Sequence, residues 1–180
     1  MSEHNPASSH STVIEKTLEH RFLADLCSYL WTRGVHDFAV SQSEVDHYGY
    51  DVIVEVGDVV RHIQLKLAHL HAKRSRVSVN MRLSRKPSGC VVWMFYQPEN
   101  LMIDHYRWFG GLPGEPLPYL GERVTRHTKA DSAGFKAERL SHRDLPKAAF
   151  TIVGSIAELS DKLFGDIGEE VALPIADVPS

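Results

Sequence analysis

The sequence predicts an α/β chain of the α+β kind, in which an antiparallel hairpin belongs to a central sheet flanked by helices. Three observations carry that prediction. Residues 13–33 repeat apolar side chains at helical spacing, residues 49–67 form two β-branched-rich runs that meet at Gly57-Asp58, and residues 90–96 (CVVWMFY) form an unbroken apolar run of strand length.

Residues 1–11 (MSEHNPASSHS) read as a disordered N-terminus. Thr12-Val13-Ile14-Glu15 has the form of a capping box, and Gly34 after Arg33 is a stop signal, so the first helix is expected over 13–33. Ile14, Leu18, Phe22, Leu26, Tyr29 and Leu30 fall on one arc of it. Glu15 and Glu19 fall inside the same arc. The cap accounts for Glu15, whereas a carboxylate at Glu19 turned toward a core needs a partner. A short strand follows at Asp37–Ser41, then the polar loop Gln42–Tyr48, whose Glu44 and Asp46 precede Asp51 closely.

Gly57-Asp58 suits a type II′ turn, so Val56 should face Val59 and Asp51 should lie opposite Gln64. Side-chain alternation then puts Val52, Val54, Val56, Ile63, Leu65 and Leu67 on one face, and Asp51, Gln64 and Lys66 on the other. Directly opposed Cβ atoms are roughly 4.5–5.5 Å apart, so one divalent ion can touch both Asp51 and Gln64. Ser75–Leu83 alternates like a strand and is expected to run into a helix ending before Pro87; Cys90–Tyr96 is a buried strand. Beyond Gln97 the chain becomes turn-rich at Gly110–Pro118, with short strands near 101–107 and 137–143. Ser155-Ile156-Ala157-Glu158 caps a final helix that Gly165 ends. The expected organisation is one domain over 12–165, with a core at 12–96, a basic loop-rich extension at 97–165 and a loose acidic tail at 166–180.

The 180 residues are ample for one packed core. Cys27 and Cys90 lie in apolar runs and read as buried thiols, which fits a reducing cytoplasm. Met1–Ser11 has no apolar segment of signal-peptide type, and no stretch reaches the length of a membrane span. The eleven histidines form no metal pair beside a cysteine, and G-x-S-x-G, P-loop and zinc spacings are missing. A net charge of −3 conceals an asymmetry: the forty residues Val59–Pro98 contain no Asp or Glu. They hold Arg61, Lys66, Lys73, Arg74, Arg76, Arg82, Arg85 and Lys86. A solvated face normally mixes both signs, so this stretch points to a polyanion partner. A second basic stretch, Arg123–Lys147, includes Arg126 and Lys129.

Asp51, followed on the next strand by Gln64-x-Lys66, resembles the PD-(D/E)XK nuclease superfamily in the variant where glutamine replaces the second acid, as in Mrr-type restriction endonucleases. The likeness spans about residues 12–96. Lys86-Pro87-Ser88-Gly89-Cys90 and Tyr106–Gly111 also resemble segments of a bacterial family without an assigned activity. The superfamily resemblance implies a restriction-endonuclease-like core, in which Cys90–Tyr96 pairs parallel to the Lys66 strand and makes the sheet mixed. It implies a further acid on the first helix, a role that falls to Glu19 with Glu15 as substitute. It implies Mg2+ or Mn2+ held by Asp51, the Gln64 amide oxygen, the Leu65 carbonyl and Glu19, with Lys66 orienting water and meeting phosphoryl charge.

The expected function is metal-dependent hydrolysis of phosphodiester bonds in DNA, in restriction, repair or defence, with room for a homodimer. Asp51, Gln64, Lys66 and Glu19 are the expected catalytic set. Lys73, Arg74, Arg76, Arg82, Arg85, Lys86, Arg126 and Lys129 are the expected DNA contacts. The alternative is a catalytically inactive module of the same fold that binds nucleic acid or a protein partner.

Overall fold

A computed structural model describes residues 6–42, 48–126 and 137–167 of the chain. Helix α1 spans Pro6–Thr32. It begins seven residues before the expected start, so Pro6–Ser11 is helical rather than disordered; proline is well tolerated in a first helical turn, where its missing N–H costs nothing. The C-terminal stop lies where Gly34 placed it. Val35 N–H donates to Leu30 O (3.0 Å) and Gly34 N–H to Trp31 O (3.0 Å), the paired bonds of a Schellman motif. Leu18, Phe22, Leu26 and Leu30 are fully buried on the predicted arc, each worth about 1.5–3 kcal/mol relative to exposure.

The main sheet has six strands in the order β1-β2-β3-β5-β6-β9. In chain order these are β1 Phe38–Gln42, β2 Val52–Val56, β3 Val59–His69, β5 Gly89–Tyr96, β6 Ile103–Gly110 and β9 Thr151–Val153. β2 and β3 pair antiparallel from Val56↔Val59 to Val52↔Ile63, the register the turn dictates. Gly57 takes a φ of +52°, which the first position of a type II′ turn requires. β5 runs parallel to β3 from His62↔Gly89 to His69↔Tyr96, so the sheet is mixed. One of its faces carries α1 and α2 (Ile156–Phe164), with Val52, Val54, Ile63, Cys90, Val92 and Met94 beneath them. Against the other face, Val91, Trp93 and Phe95 pack with residues of a second, three-stranded antiparallel sheet in the order β4-β8-β7. That sheet comprises β4 Arg76–Asn80, β7 Val124–Arg126 and β8 Glu138–Pro146. β5 is therefore covered on both faces, which is why its sequence is apolar without alternation.

The connection from β3 to β5 runs through strand β4 into a short 3-10 helix at Met81–Arg85 that ends before Pro87, the order the sequence suggested. Residues beyond 97 also build the main sheet, through β6 and β9, and α2 joins α1 in the core on one face of it. Ile167, expected in a loose tail, packs against that same core. The sequence missed the three-residue strands β7 and β9, too short to show a period. Glu44, Asp46, Lys129, Glu169, Glu170 and Asp177 lie outside the described residues. Among the described residues, no helix is long and apolar enough to cross a membrane.

Candidate functional site

β3 is longer than β2, and the site arises from that difference. Pairing stops at Val52↔Ile63 while β3 continues to His69. Asp51 N–H still donates to Ile63 O (2.9 Å). The next main-chain donor on that edge, Leu65 N–H, is met by the Asp51 carboxylate at 2.6 Å. A side-chain oxygen thus stands where a continuing strand would have offered a carbonyl. This short, charge-assisted bond fixes the carboxylate. Because N–H and C=O of one strand residue point to the same edge, the Leu65 carbonyl is directed toward the gap β2 leaves.

A cavity of about 420 Å³ opens at this point, and Glu15, Glu19, Asp51, Leu65, Lys66 and Arg74 are among its lining residues. It unites the first helix, the end of β2, β3 and the segment before β4. Glu19 is mostly enclosed, its side chain 13% exposed. Its carboxylate accepts from Gln42 Nε2 (2.7 Å) at the end of β1 and from Lys16 Nζ (3.1 Å) one turn back. Those are the partners the buried-arc carboxylate needed, and Gln42 is a site neighbour that sequence reading did not pick out. Glu15 is exposed. A larger hollow of about 550 Å³ adjoins Trp108–Leu112 and the end of α2, with Glu115, Asp161 and Lys162 among its lining residues.

Gln64 is not brought into the cavity. It is buried, 4% exposed, and its Oε1 faces Asn80 N–H at 3.4 Å. Asn80 in turn accepts from Arg82 N–H (3.0 Å) through Oδ1, capping the 3-10 helix. A buried amide turns to the nearest donor, and the sequence could not reveal that β4 would supply one. Glu55, which shares the Asp51 face by alternation, is exposed. Among the described residues, no three His, Cys, Asp or Glu side chains are grouped so as to hold a metal.

The basic residues divide by environment. Arg61, one of the eight cations of the acid-free stretch, is fully buried. Its guanidinium donates to Leu163 O, and to Lys162 O and Gly111 O at 3.1 Å each, and lies 5.5 Å from the Trp108 ring centroid. Burial lowers its pKa, and the nearby Glu115 charge opposes that shift. Arg61 therefore holds the C-terminal end of α2 and offers nothing to a surface partner. Lys73, Arg74, Arg82, Arg85 and Arg126 are exposed, while Arg76 and Lys86 are half-buried. Arg126 pairs with Glu138 at 3.7 Å. Lys86 Nζ lies 4.3 Å from the Tyr48 ring centroid and 5.5 Å from that of Tyr50, an aromatic pair missed in sequence although it immediately precedes Asp51.

No family model and no curated protein matches the chain. Among solved structures it is similar to a Holliday junction resolvase of Archaeoglobus fulgidus, at 16% identity and a TM-score of 0.36, over 81% of this chain and 97% of that one. It is also similar to a bacterial homing endonuclease, at 18% identity and a TM-score of 0.26, over 63% of this chain and 81% of that one.

Proposed function

We propose that the chain is a metal-dependent nuclease that hydrolyses phosphodiester bonds in DNA at the Asp51 cavity. The observation that carries this reading is the meeting of Glu19, Asp51, Leu65 and Lys66 around one opening, with Arg74 at its side. The donor set is made of oxygens only: two carboxylates and a main-chain carbonyl. That suits Mg2+ or Mn2+, since Mg2+ is commonly held by one or two protein carboxylates and keeps several waters. Asp51, Glu19 and the Leu65 carbonyl would hold the ion, which when bound would polarise a phosphoryl oxygen and acidify water. Lys66 would offset charge on the attacked phosphoryl group and orient the attacking water. Asp51, tied to Leu65 N–H, keeps its carboxylate pointed without reorganisation.

The orientation of Gln64 favours one second reading, a module of this fold that binds nucleic acid without cutting it. Incubating the protein with supercoiled and linear DNA in Mg2+, Mn2+ or EDTA separates the two. The expected result is nicking or linearisation with metal, none in EDTA, and loss of at least about 10²-fold in rate for Lys66→Ala. DNA binding without cleavage under either metal would select the binding module.

A further inference from the structure

We infer that Tyr48, Tyr50, Arg82, Arg85 and Lys86 form a nucleotide subsite that stacks an unpaired base, so that the protein prefers single-stranded DNA to continuous duplex. The inference rests on the nuclease reading for its substrate class. The rings of Tyr48 and Tyr50 lie near-parallel, 13° apart in plane with centroids 6.2 Å apart, and Tyr50 meets His62 edge-on at 5.0 Å. Tyr48 keeps 49% of its surface exposed. Together with Arg82, Arg85 and Lys86 it lines a cavity of about 310 Å³, at the small end of ligand pockets.

An exposed ring among three cations suits a partner that is both flat and anionic. A nucleotide is such a partner: its base stacks on the ring and its phosphate meets the cations. Duplex DNA keeps its bases within the helical stack, so it can offer these cations its backbone but cannot offer Tyr48 a base face. Tyr50 directly precedes Asp51 in the chain, while the two cavities share no lining residue.

The patch is held in advance of any ligand. Lys86 precedes a tight turn in which His62 Nδ1 lies 2.8 Å from Pro87 O and Ser88 takes a φ of +51°. Gly49, between the two tyrosines, has a φ of +80°, and a Cβ placed on it would come within 2.9 Å of Asn80 Cβ. The tyrosine segment is thereby pressed against the residue that caps the 3-10 helix bearing Arg82 and Arg85. Preorganisation of this kind lowers the cost of ordering on binding.

The test is fluorescence anisotropy in EDTA, where binding is read without cleavage, using an oligothymidylate, a duplex of equal length and the same single strand carrying abasic sites. Tyr48→Ala should weaken single-strand binding about tenfold or more and leave duplex binding nearly unchanged, while Tyr48→Phe retains affinity. The abasic strand should bind wild-type protein as weakly as the oligothymidylate binds Tyr48→Ala. Arg85→Ala should lower affinity for both forms and flatten the salt dependence. Unaltered oligothymidylate binding in Tyr48→Ala would overturn the inference and assign the patch to another partner, such as an acidic protein. An equal loss on duplex and abasic strands would overturn it too. An inactive wild-type protein in the cleavage assay is a separate result, which refutes the nuclease reading and leaves this binding measurement intact.

Discussion

At the scale of single residues, Asp51 and Gln64, expected to share one ion, lie in different surroundings. Asp51 is half-buried and its carboxylate lines the cavity, whereas Gln64 is buried and turned to Asn80 N–H. Asp51→Asn keeps the shape and one acceptor oxygen for Leu65 N–H but removes the charge that would hold a cation. Cleavage should fall by at least about 10²-fold, with the thermal midpoint little changed; a variant that cuts at the wild-type rate would place the chemistry elsewhere. Gln64→Glu has a different expected outcome. It puts a carboxylate in a buried position facing one N–H, so unfolding in urea should show a loss of about 1–3 kcal/mol. Added Mg2+ should not restore that loss, because the side chain lies outside the cavity. Full recovery with metal would bring Gln64 back into the donor set.

At the scale of elements, α2 is held by a cation 101 and 102 residues earlier in the chain than the carbonyls it meets. The carbonyls of Lys162 and Leu163 carry the negative end of the helix dipole, and the Arg61 guanidinium donates to both while bridging to Gly111 O. Arg61→Met keeps much of the apolar stem and removes all of these donors. A loss of about 1–3 kcal/mol is expected, because buried carbonyls are left without donors, read as a lower urea midpoint. Arg61→Lys should recover only part of it, since a single ammonium lacks the planar fork that spans several carbonyls. An unchanged midpoint in Arg61→Met would show that α2 is secured by its apolar face alone. The same comparison bears on the charge argument, since one of the eight cations in the acid-free stretch serves the fold and not a partner.

For the molecule as a whole, the six-stranded sheet is sealed between helices on one side and a smaller sheet on the other, and this shapes the response to alkali. Cys90 is fully buried in β5, and burial pushes its thiol up from 9.0 to about 12. Burial also raises the Cys27 thiol and the Tyr106 phenol. All three groups hold their protons in the folded state at a pH where the unfolded chain releases them. Stability is therefore level below about pH 9 and falls as pH rises from there toward 12. Urea midpoints measured from pH 7 to 11 should decline above pH 9, and Cys90→Ala should soften that decline. In native protein a thiol reagent should leave Cys90 unmodified and reach it only on unfolding; prompt labelling would contradict the two-sided burial of β5.

The hairpin register, the buried arc of α1, its stop at Gly34 and the all-apolar strand β5 were determined by the sequence alone. Each depends on a local rule: a two-residue turn sets the pairing, periods of 2.0 and 3.6 set the faces, and a strand covered on both sides loses its alternation. Tertiary structure alone decided the rest. Gln64 met Asn80 only because β4 joined a second sheet, and Arg61 was buried only because α2 ended above it. Residues 103–110 extended the main sheet along the open edge of β5, and residues 151–153 along that of β6. These outcomes turn on contacts between residues far apart in the chain, where the need to satisfy a buried polar group or an unpaired strand edge outweighs local pattern. That is also why the cavity at Asp51, formed by a strand ending early beside a longer one, became visible only in three dimensions.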